Sequence, residues 1–227
     1  MKRAFDIFFS ILGLIVLSPL FLVVAILIKR DDMGPIFFTQ KRVGKDFEPF
    51  TLVKFRTMIT EKDGTPGPLI TVADDPRITK IGTFLRRTKI DELPQLWNVL
   101  TGRMSFVGPR PEVEKCVAEY REDYEKILKV RPGITDVASL TFSDEERVLE
   151  GIENPEQYYV NVLLTEKIRL GKKYVNEASL SYDIKLIILT VFKLIYPYNT
   201  AINAIKSLTP HRRWVVLGIQ VFCFILA

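Results

Sequence analysis

The chain has 227 residues, 48% of them apolar and 26% charged, with a formal net charge of +5 and a mean hydropathy of +0.14. That size holds one ordinary domain with appendages, not a large multidomain machine, and the composition is too apolar for disorder. Two distant cysteines, Cys116 and Cys223, and a single histidine, His211, exclude a disulfide framework, a cysteine zinc cluster and every His-based triad, and neither GxxxxGK[ST] nor GxGxxG occurs.

The chain opens on an apolar run. From Ile7 to Ile28 no residue is charged, with Lys2 and Arg3 before the run and Lys29 and Arg30 after it. The run is too long for a signal-peptide core, and a straight helix of that length would be about 33 Å, enough to cross a bilayer. A single-pass anchor is one reading. The other starts from Ser18-Pro19 near the middle. Pro19 cannot donate to Ile15, and Ser18 can bond back to Leu14, so a bent helix would make two arms of about 15–18 Å, each one leaflet deep. Such a hairpin returns to its face of entry and keeps both basic pairs beside anionic headgroups.

Ile36–Val43 and Phe47–Thr57 read as strands around a Gly44-Lys45-Asp46 turn, with Lys54 and Arg56 on one face and Phe55 on the other. Residues 60–76 read as a long loop. Arg77–Thr88 reads as a helix, and Pro94 marks the first turn of another, Glu92–Leu100. Residues 77–110 carry seven Lys/Arg against Asp91 and Glu92, and residues 111–156 carry six basic against 13 acidic residues. The basic stretch can hold phosphate, nucleic acid or membrane. Nucleic acid is disfavoured, since no binding motif occurs and few aromatics interleave with the basic residues. The acidic stretch reads as the solvated side of an amphipathic helix, with Val113, Val117, Tyr120, Tyr124 and Ile127 as its stripe and Pro132-Gly133 as its end.

Ser143-Asp-Glu-Glu146 fits a capping box, and Asn154-Pro155 opens a long helix through about Asn176. Asp183–Tyr196 is strongly apolar, a core helix or an interfacial one. Thr209-Pro210 opens a further segment that ends in 14 uncharged residues, Trp214–Ala227, short for a span, which reads as the start of a membrane segment in a longer protein; a stop codon after Ala227 would dispose of that idea.

Asp91-Glu92 is the acidic pair inside the basic stretch. It can be a helix cap and a macrodipole partner with no further role. Surrounded by Arg86, Arg87, Lys89 and Arg110, it can also stay ionised, attack an electrophile or bind a cation, while the same cations attract phosphate. Mg²⁺ would relieve the repulsion between such a carboxylate and a phosphate.

The run from Thr83 to Pro111, with Asp91-Glu92-Leu-Pro-Gln-Leu-Trp-Asn-Val-Leu-Thr-Gly-Arg-Met-Ser-Phe-Val-Gly-Pro-Arg-Pro at its heart, closely resembles the signature of bacterial sugar transferases, the monotopic phosphoglycosyl transferases. Gly34-Pro35-Ile36-Phe37-Phe38 with Gln40, Arg42 and Gly44, then Lys54-Phe55-Arg56-Thr57-Met58, and Arg131-Pro132-Gly133-Ile134-Thr135 resemble further blocks of that family, and the likeness covers roughly residues 1–196. Ser18-Pro19 matches the family's re-entrant helix.

The resemblance implies an α+β, mostly helical fold. A re-entrant hairpin (1–30) carries a small cytoplasmic catalytic domain (31–197) with interfacial amphipathic helices, and an extension (198–227) follows. It implies that Asp91 attacks the β-phosphate of a UDP-sugar, releases UMP, and passes the phosphosugar to a polyprenol phosphate at the cytoplasmic face of the bacterial plasma membrane. Glu92 would position Mg²⁺ or deprotonate the lipid phosphate, and Asp91 would touch the metal. Arg86 and Arg110 would hold phosphate and Pro109-Arg110-Pro111 would lie near uridine, with Lys54, Arg56, Gln40 and Arg42 also assigned to substrate. After Thr135 the chain departs from the family pattern, reading Asp136-Val-Ala-Ser-Leu140, which bears on sugar choice. A fused or associated nucleotide-sugar dehydratase and a homo-oligomer are further partners this reading admits. The rival of a different class is a non-catalytic, membrane-anchored scaffold that binds phosphate.

Overall fold

The computed structural model of the chain describes residues 1–59, 75–142, 149 and 152–195. Most of the loop expected at 60–76, the capping box at Ser143–Glu146, and the extension at 198–227 lie outside the described residues. The fold is α+β and mostly helical.

Helices α1 (Lys2–Val16) and α2 (Ser18–Asp32) meet at Leu17 with a bend of 58°. Pro19 brings no N–H to the Ile15 carbonyl, and the Ser18 hydroxyl donates to that same oxygen at 2.7 Å. The expected acceptor, Leu14, is thus replaced by the carbonyl that the proline strands. Among the described residues no single helix is long and apolar enough to cross a membrane; the bent pair passes that test together.

Helix α1 is inside-out. Its buried residues are Asp6 and Ser10, while Phe8, Phe9, Ile11, Leu12, Ile15 and Val16 are exposed. The polar side is consumed by the rest of the molecule: Asp6 accepts from the Ser105 hydroxyl at 3.1 Å and the Phe106 amide at 3.2 Å. Gly13 faces Leu96 so closely that a Cβ would stand 3.0 Å from its methyl. The first basic pair is engaged by the globular part. Lys2 donates to the Val107 carbonyl (2.8 Å), the Tyr174 hydroxyl (3.0 Å) and Asp183 (2.5 Å), and Arg3 donates to the carbonyls of Val99 and Leu100. Both cations staple the start of the chain to the globular part.

Strands β1 (Phe37–Val43) and β2 (Pro49–Phe55) form the expected antiparallel hairpin, in register from Phe37 opposite Phe55 to Val43 opposite Pro49. Its turn is left-handed at Asp46 and Phe47. Helix α3 (Lys80–Thr88) is capped by Thr79, whose hydroxyl accepts from the Gly82 amide. A short 3₁₀ turn, Ile90–Glu92, leads into α4 (Gln95–Leu100). Two three-residue strands that the sequence does not announce, β3 (Ser105–Val107) and β4 (Gly133–Thr135), pair in parallel.

The acidic amphipathic stretch is two helices, α5 (Glu114–Glu119) and α6 (Arg121–Ile127), broken where Tyr120 leaves helical geometry (φ −120°, ψ 40°). Its expected stripe still faces inward: Val117, Tyr124 and Ile127 are buried with Cys116 and Leu128, and Val113 and Tyr120 pack against them. Helix α7 (Val137–Thr141) is capped by Asp136. The long helix after Asn154 is α8 (Pro155–Tyr158), a π turn (Tyr159–Leu163) and α9 (Leu164–Glu177), and α10 (Leu180–Ile195) follows. One cluster unites α5, α6 and α9. A second joins β3, α7, α9 and α10 around Tyr174 and Leu186, and a third packs Val24 and Ile28 of α2 on Phe55 and Leu85, seating the bent pair beside the end of β2.

Candidate active site

Two backbone devices deliver Asp91 and Glu92. Helix α3 ends at Lys89, whose left-handed conformation (φ 56°) turns the chain and lets its amide reach the Arg86 carbonyl at 3.1 Å. A non-glycine residue there costs about 1 kcal/mol, which the surrounding packing must offset. The 3₁₀ turn then holds both carboxylates against the outer end of β2. Asp91 makes no side-chain cap, contrary to the simplest reading of an acidic pair before Leu-Pro; Lys89 occupies the cap position.

The strand pair β3–β4 delivers the third component. Gly108 and Gly133 lie back to back, and a Cβ on Gly133 would fall 2.1 Å from the Gly108 nitrogen, so only glycine permits this approach. It directs Pro109-Arg110-Pro111 across the same side of the molecule. The Arg110 amide donates to Asp136 at 3.1 Å, and the other Asp136 oxygen accepts from Ser139 at 2.7 Å.

Three elements converge on Glu92. Lys54 Nζ of β2 donates to Glu92 Oε1 at 2.8 Å, and Arg110 Nη2 donates to the same oxygen at 2.9 Å. Burial alone would raise the pKa of Glu92, but the charges of Arg110 and Lys54 and their hydrogen bonds outweigh it and hold the carboxyl well below its usual value. The Glu92 charge in turn raises the pKa of Arg110. Lys54 is lowered, because its burial outweighs the attraction of Glu92.

Asp91 sits differently. It is 7% exposed, its Oδ1 is buried without a hydrogen-bond partner, and burial pushes its pKa up despite Lys54, Lys89 and Arg86 nearby. The sequence reading has cations keeping this residue charged; the structure gives that treatment to Glu92, while burial pushes Asp91 the other way.

The remaining expected residues divide into three groups. Arg86, one turn before Lys89 on α3, lies at 3.5 Å from the Thr57 hydroxyl and lowers the pKa of Asp91. Gln40 and Arg42 form a unit on β1: the Gln40 oxygen accepts from Arg42 Nε (3.1 Å) and Nη2 (2.7 Å), while Arg42 Nη1 donates to the Pro111 carbonyl at 3.0 Å. They brace the Pro109–Pro111 segment from behind, helped by Glu112, which accepts from Tyr159 at 2.9 Å. Arg56 is committed elsewhere. Its guanidinium grips Asp32 with two hydrogen bonds and the Pro35 carbonyl at 2.6 Å, locking the loop after α2 to the end of β2.

Three residues have roles here that the sequence does not assign. Asp136 anchors Arg110, and its Asp-x-x-Ser spacing to Ser139 is a capping signal that could have found it. Asp6 hides at the edge of an apolar run. Gln95 is 2% exposed on the face that carries Asp91. Cys116 offers no rival nucleophile, since burial pushes its thiol up to about 11.

Among the described residues no group of three or more His, Cys, Asp or Glu side chains could hold a metal ion. Mg²⁺ asks for less, often one or two carboxylates with phosphate oxygens and water. The partnerless Asp91 Oδ1 fits that donor set, whereas Glu92 Oε1 already serves two cations.

A buried carboxylate with an unpartnered oxygen, a neighbouring carboxylate clamped by two cations, and an arginine on a proline-flanked segment make an arrangement that can take a phosphate. The chain belongs to the bacterial sugar transferase family, whose model matches residues 1–197. It is 40% identical over 200 residues to the UDP-glucose:undecaprenyl-phosphate glucose-1-phosphate transferase of Escherichia coli K12, covering 85% of this chain and 40% of that protein. It is 37% identical over 202 residues to the galactosyl transferase CpsE of Streptococcus agalactiae, covering 84% of this chain and 41% of the relative. The exopolysaccharide production protein PSS of Rhizobium leguminosarum is 47% identical over 150 residues, 62% of this chain and 73% of that one. The chain thus spans about two fifths of the length of the first two relatives.

Proposed function

We propose that the chain transfers a sugar-1-phosphate from a UDP-sugar to a polyprenol phosphate, such as the undecaprenyl phosphate named for its E. coli relative, through a phosphosugar covalently held on Asp91. The single observation that carries this reading is the contrast within one turn: Glu92 has two cationic partners, and Asp91 has a buried oxygen with none. A structural carboxylate is satisfied; a nucleophile must keep a lone pair available.

In the first half-reaction an Asp91 oxygen bonds to the β-phosphorus, the bond from that phosphorus to the bridging oxygen breaks, and UMP leaves with the electron pair. In the second, an oxygen of the lipid phosphate bonds to the same phosphorus and the Asp91 carboxylate is released, so two bulky substrates use one site in turn. Lys54, Arg110 and Glu92 together keep one net positive charge; with Arg86 and Lys89 they offset the repulsion between diphosphate and carboxylate. Glu92 is held too acidic to be a good base, and none is needed: a phosphomonoester has a second pKa near about 6 and is largely dianionic at neutral pH. We assign Glu92 to holding Lys54 and Arg110 in place. Asp91 would hold Mg²⁺, which when bound supplies positive charge at the phosphoryl oxygens.

The inside-out α1 supports a re-entrant seat on the cytoplasmic face of the membrane. Each 15-residue arm is about 22 Å long, so a symmetric V with the 58° bend would bury its apex about 11 Å, within one leaflet of roughly 15 Å. The exposed side chains of Ile188, Val191, Phe192 and Ile195 on α10 support an interfacial helix there.

The test is protein in lipid nanodiscs with polyprenol phosphate, Mg²⁺ and a panel of UDP-sugars, scored for UMP and for polyprenol diphosphosugar. Stoichiometric formation of both from one donor is expected; release of free sugar phosphate, or no reaction with any donor, would overturn the reading.

A further inference from the structure

Helical backbone runs from Ile90 through Thr101, so residues four apart share a face. The face turned toward β2 carries Asp91, Gln95 and Asn98, all buried. The two carboxamides are employed differently. Asn98 completes the free edge of β2: its Oδ1 accepts from the Val53 amide at 3.1 Å and its Nδ2 donates to the Thr51 carbonyl at 2.8 Å. Gln95, 2% exposed, has a buried Nε2 with no partner. Among the described residues, this donor and Asp91 Oδ1 are the side-chain atoms buried without a hydrogen bond, and they belong to residues one helical turn apart. A buried donor left unpaired is costly, and natural folds rarely leave one without a function. Packing does not explain it, since leucine or methionine would fill the same space without the unpaired group.

We propose that Gln95 is a further catalytic residue, whose Nε2 donates a hydrogen bond to a non-bridging oxygen of the phosphoryl group while that group is bonded to Asp91. The inference rests on the covalent reading above. As the Asp91 oxygen bonds to the β-phosphorus and the bridging oxygen departs with UMP, negative charge stays on the non-bridging oxygens. A carboxamide fixed one turn away meets that charge without reorganising, and no proton changes hands.

The test replaces Gln95→Met and, as a second packing choice, Gln95→Leu, and measures single-turnover UMP release without lipid acceptor. The donors are the accepted UDP-sugar and its two β-phosphorothioate diastereomers, in which sulfur stands for one or other non-bridging oxygen. The expected result is UMP release slowed about a hundredfold with the thermal midpoint unchanged or raised. The rate penalty of one diastereomer, present in the wild type, should shrink in the variants, because the interaction that sulfur weakens is already gone. Wild-type rates, or an undiminished sulfur penalty for both diastereomers, would overturn the assignment. So would failure of both variants to fold, which would mark Gln95 as a packing residue. If instead the wild type releases no UMP, it is the transferase reading that falls.

Discussion

Asp91 and Glu92 are adjacent in the chain and opposite in their electrostatics, and the difference yields paired predictions. The folded-state pKa of Glu92 lies below its ordinary 4.5, so its ionisation contributes stability that is full above pH 4.5 and is lost as pH falls from there through the lower folded value. Glu92→Gln leaves Lys54 and Arg110 without their counter-charge and is expected to cost about 1–3 kcal/mol at neutral pH, with the difference from wild type fading in acid. For Asp91 the sign reverses. Its folded-state pKa lies above 3.8, so the unfolded chain ionises first and the folded state loses stability as pH rises through that interval. Asp91→Asn is therefore expected to melt higher than wild type at neutral pH, to lose that advantage below pH 3.8, and to be inactive. Thermal melts of both variants across pH 3–8 check the pair; a destabilised Asp91→Asn at neutral pH would mean the residue is structural.

At the scale of elements, the bend between α1 and α2 depends on two local choices. Pro19 disfavours a straight helix by about 3 kcal/mol relative to alanine, and Ser18 satisfies the carbonyl that Pro19 exposes. Pro19→Ala would favour one helix over residues 2–32, about 46 Å long and more than enough to span. Cysteines placed at Met1 and Asp32 are expected to react from the same side of sealed vesicles in the wild-type background, where Lys2, Arg3 and Asp6 hold the start of α1 to the globular part. Labelling from opposite sides without the proline change would establish a spanning helix instead. The attachment of α1 to the globular part is equally local. Asp6→Ala removes the acceptor for the buried Ser105 hydroxyl and the Phe106 amide, with an expected loss of about 1–3 kcal/mol by thermal unfolding in detergent. An unchanged melt would show that α1 is held by its apolar contacts alone.

For the whole molecule, what could be read from the sequence followed from what lies close along the chain. Asp91, Glu92 and Arg110 share one continuous block, the β1–β2 hairpin has alternating side chains around a turn, and the stripe from Val113 to Ile127 keeps helical spacing. Each shows in a short window. The grip of Lys54 on Glu92, 38 residues away, does not, nor does the capture of Arg56 by Asp32, because both depend on how strands and helices pack. Strands β3 and β4 are three residues each, too short to show a period, and the break at Tyr120 leaves the apolar stripe intact. The partners of Asp6 and Lys2 are hidden for a related reason: at the border of an apolar run a charge looks like a flank, and only the folded chain shows that Asp183, Tyr174 and the start of β3 meet it.

The most direct measurement is to incubate the protein with a UDP-sugar labelled in the sugar and Mg²⁺, without lipid acceptor, quench in acid, and map the modified peptide by mass spectrometry. The expected product is one phosphosugar per active site on the peptide containing Asp91, matched by one UMP, absent in Asp91→Asn and chased into lipid when polyprenol phosphate is added. UMP released in step with lipid product, with no adduct on Asp91 at any time, would contradict it.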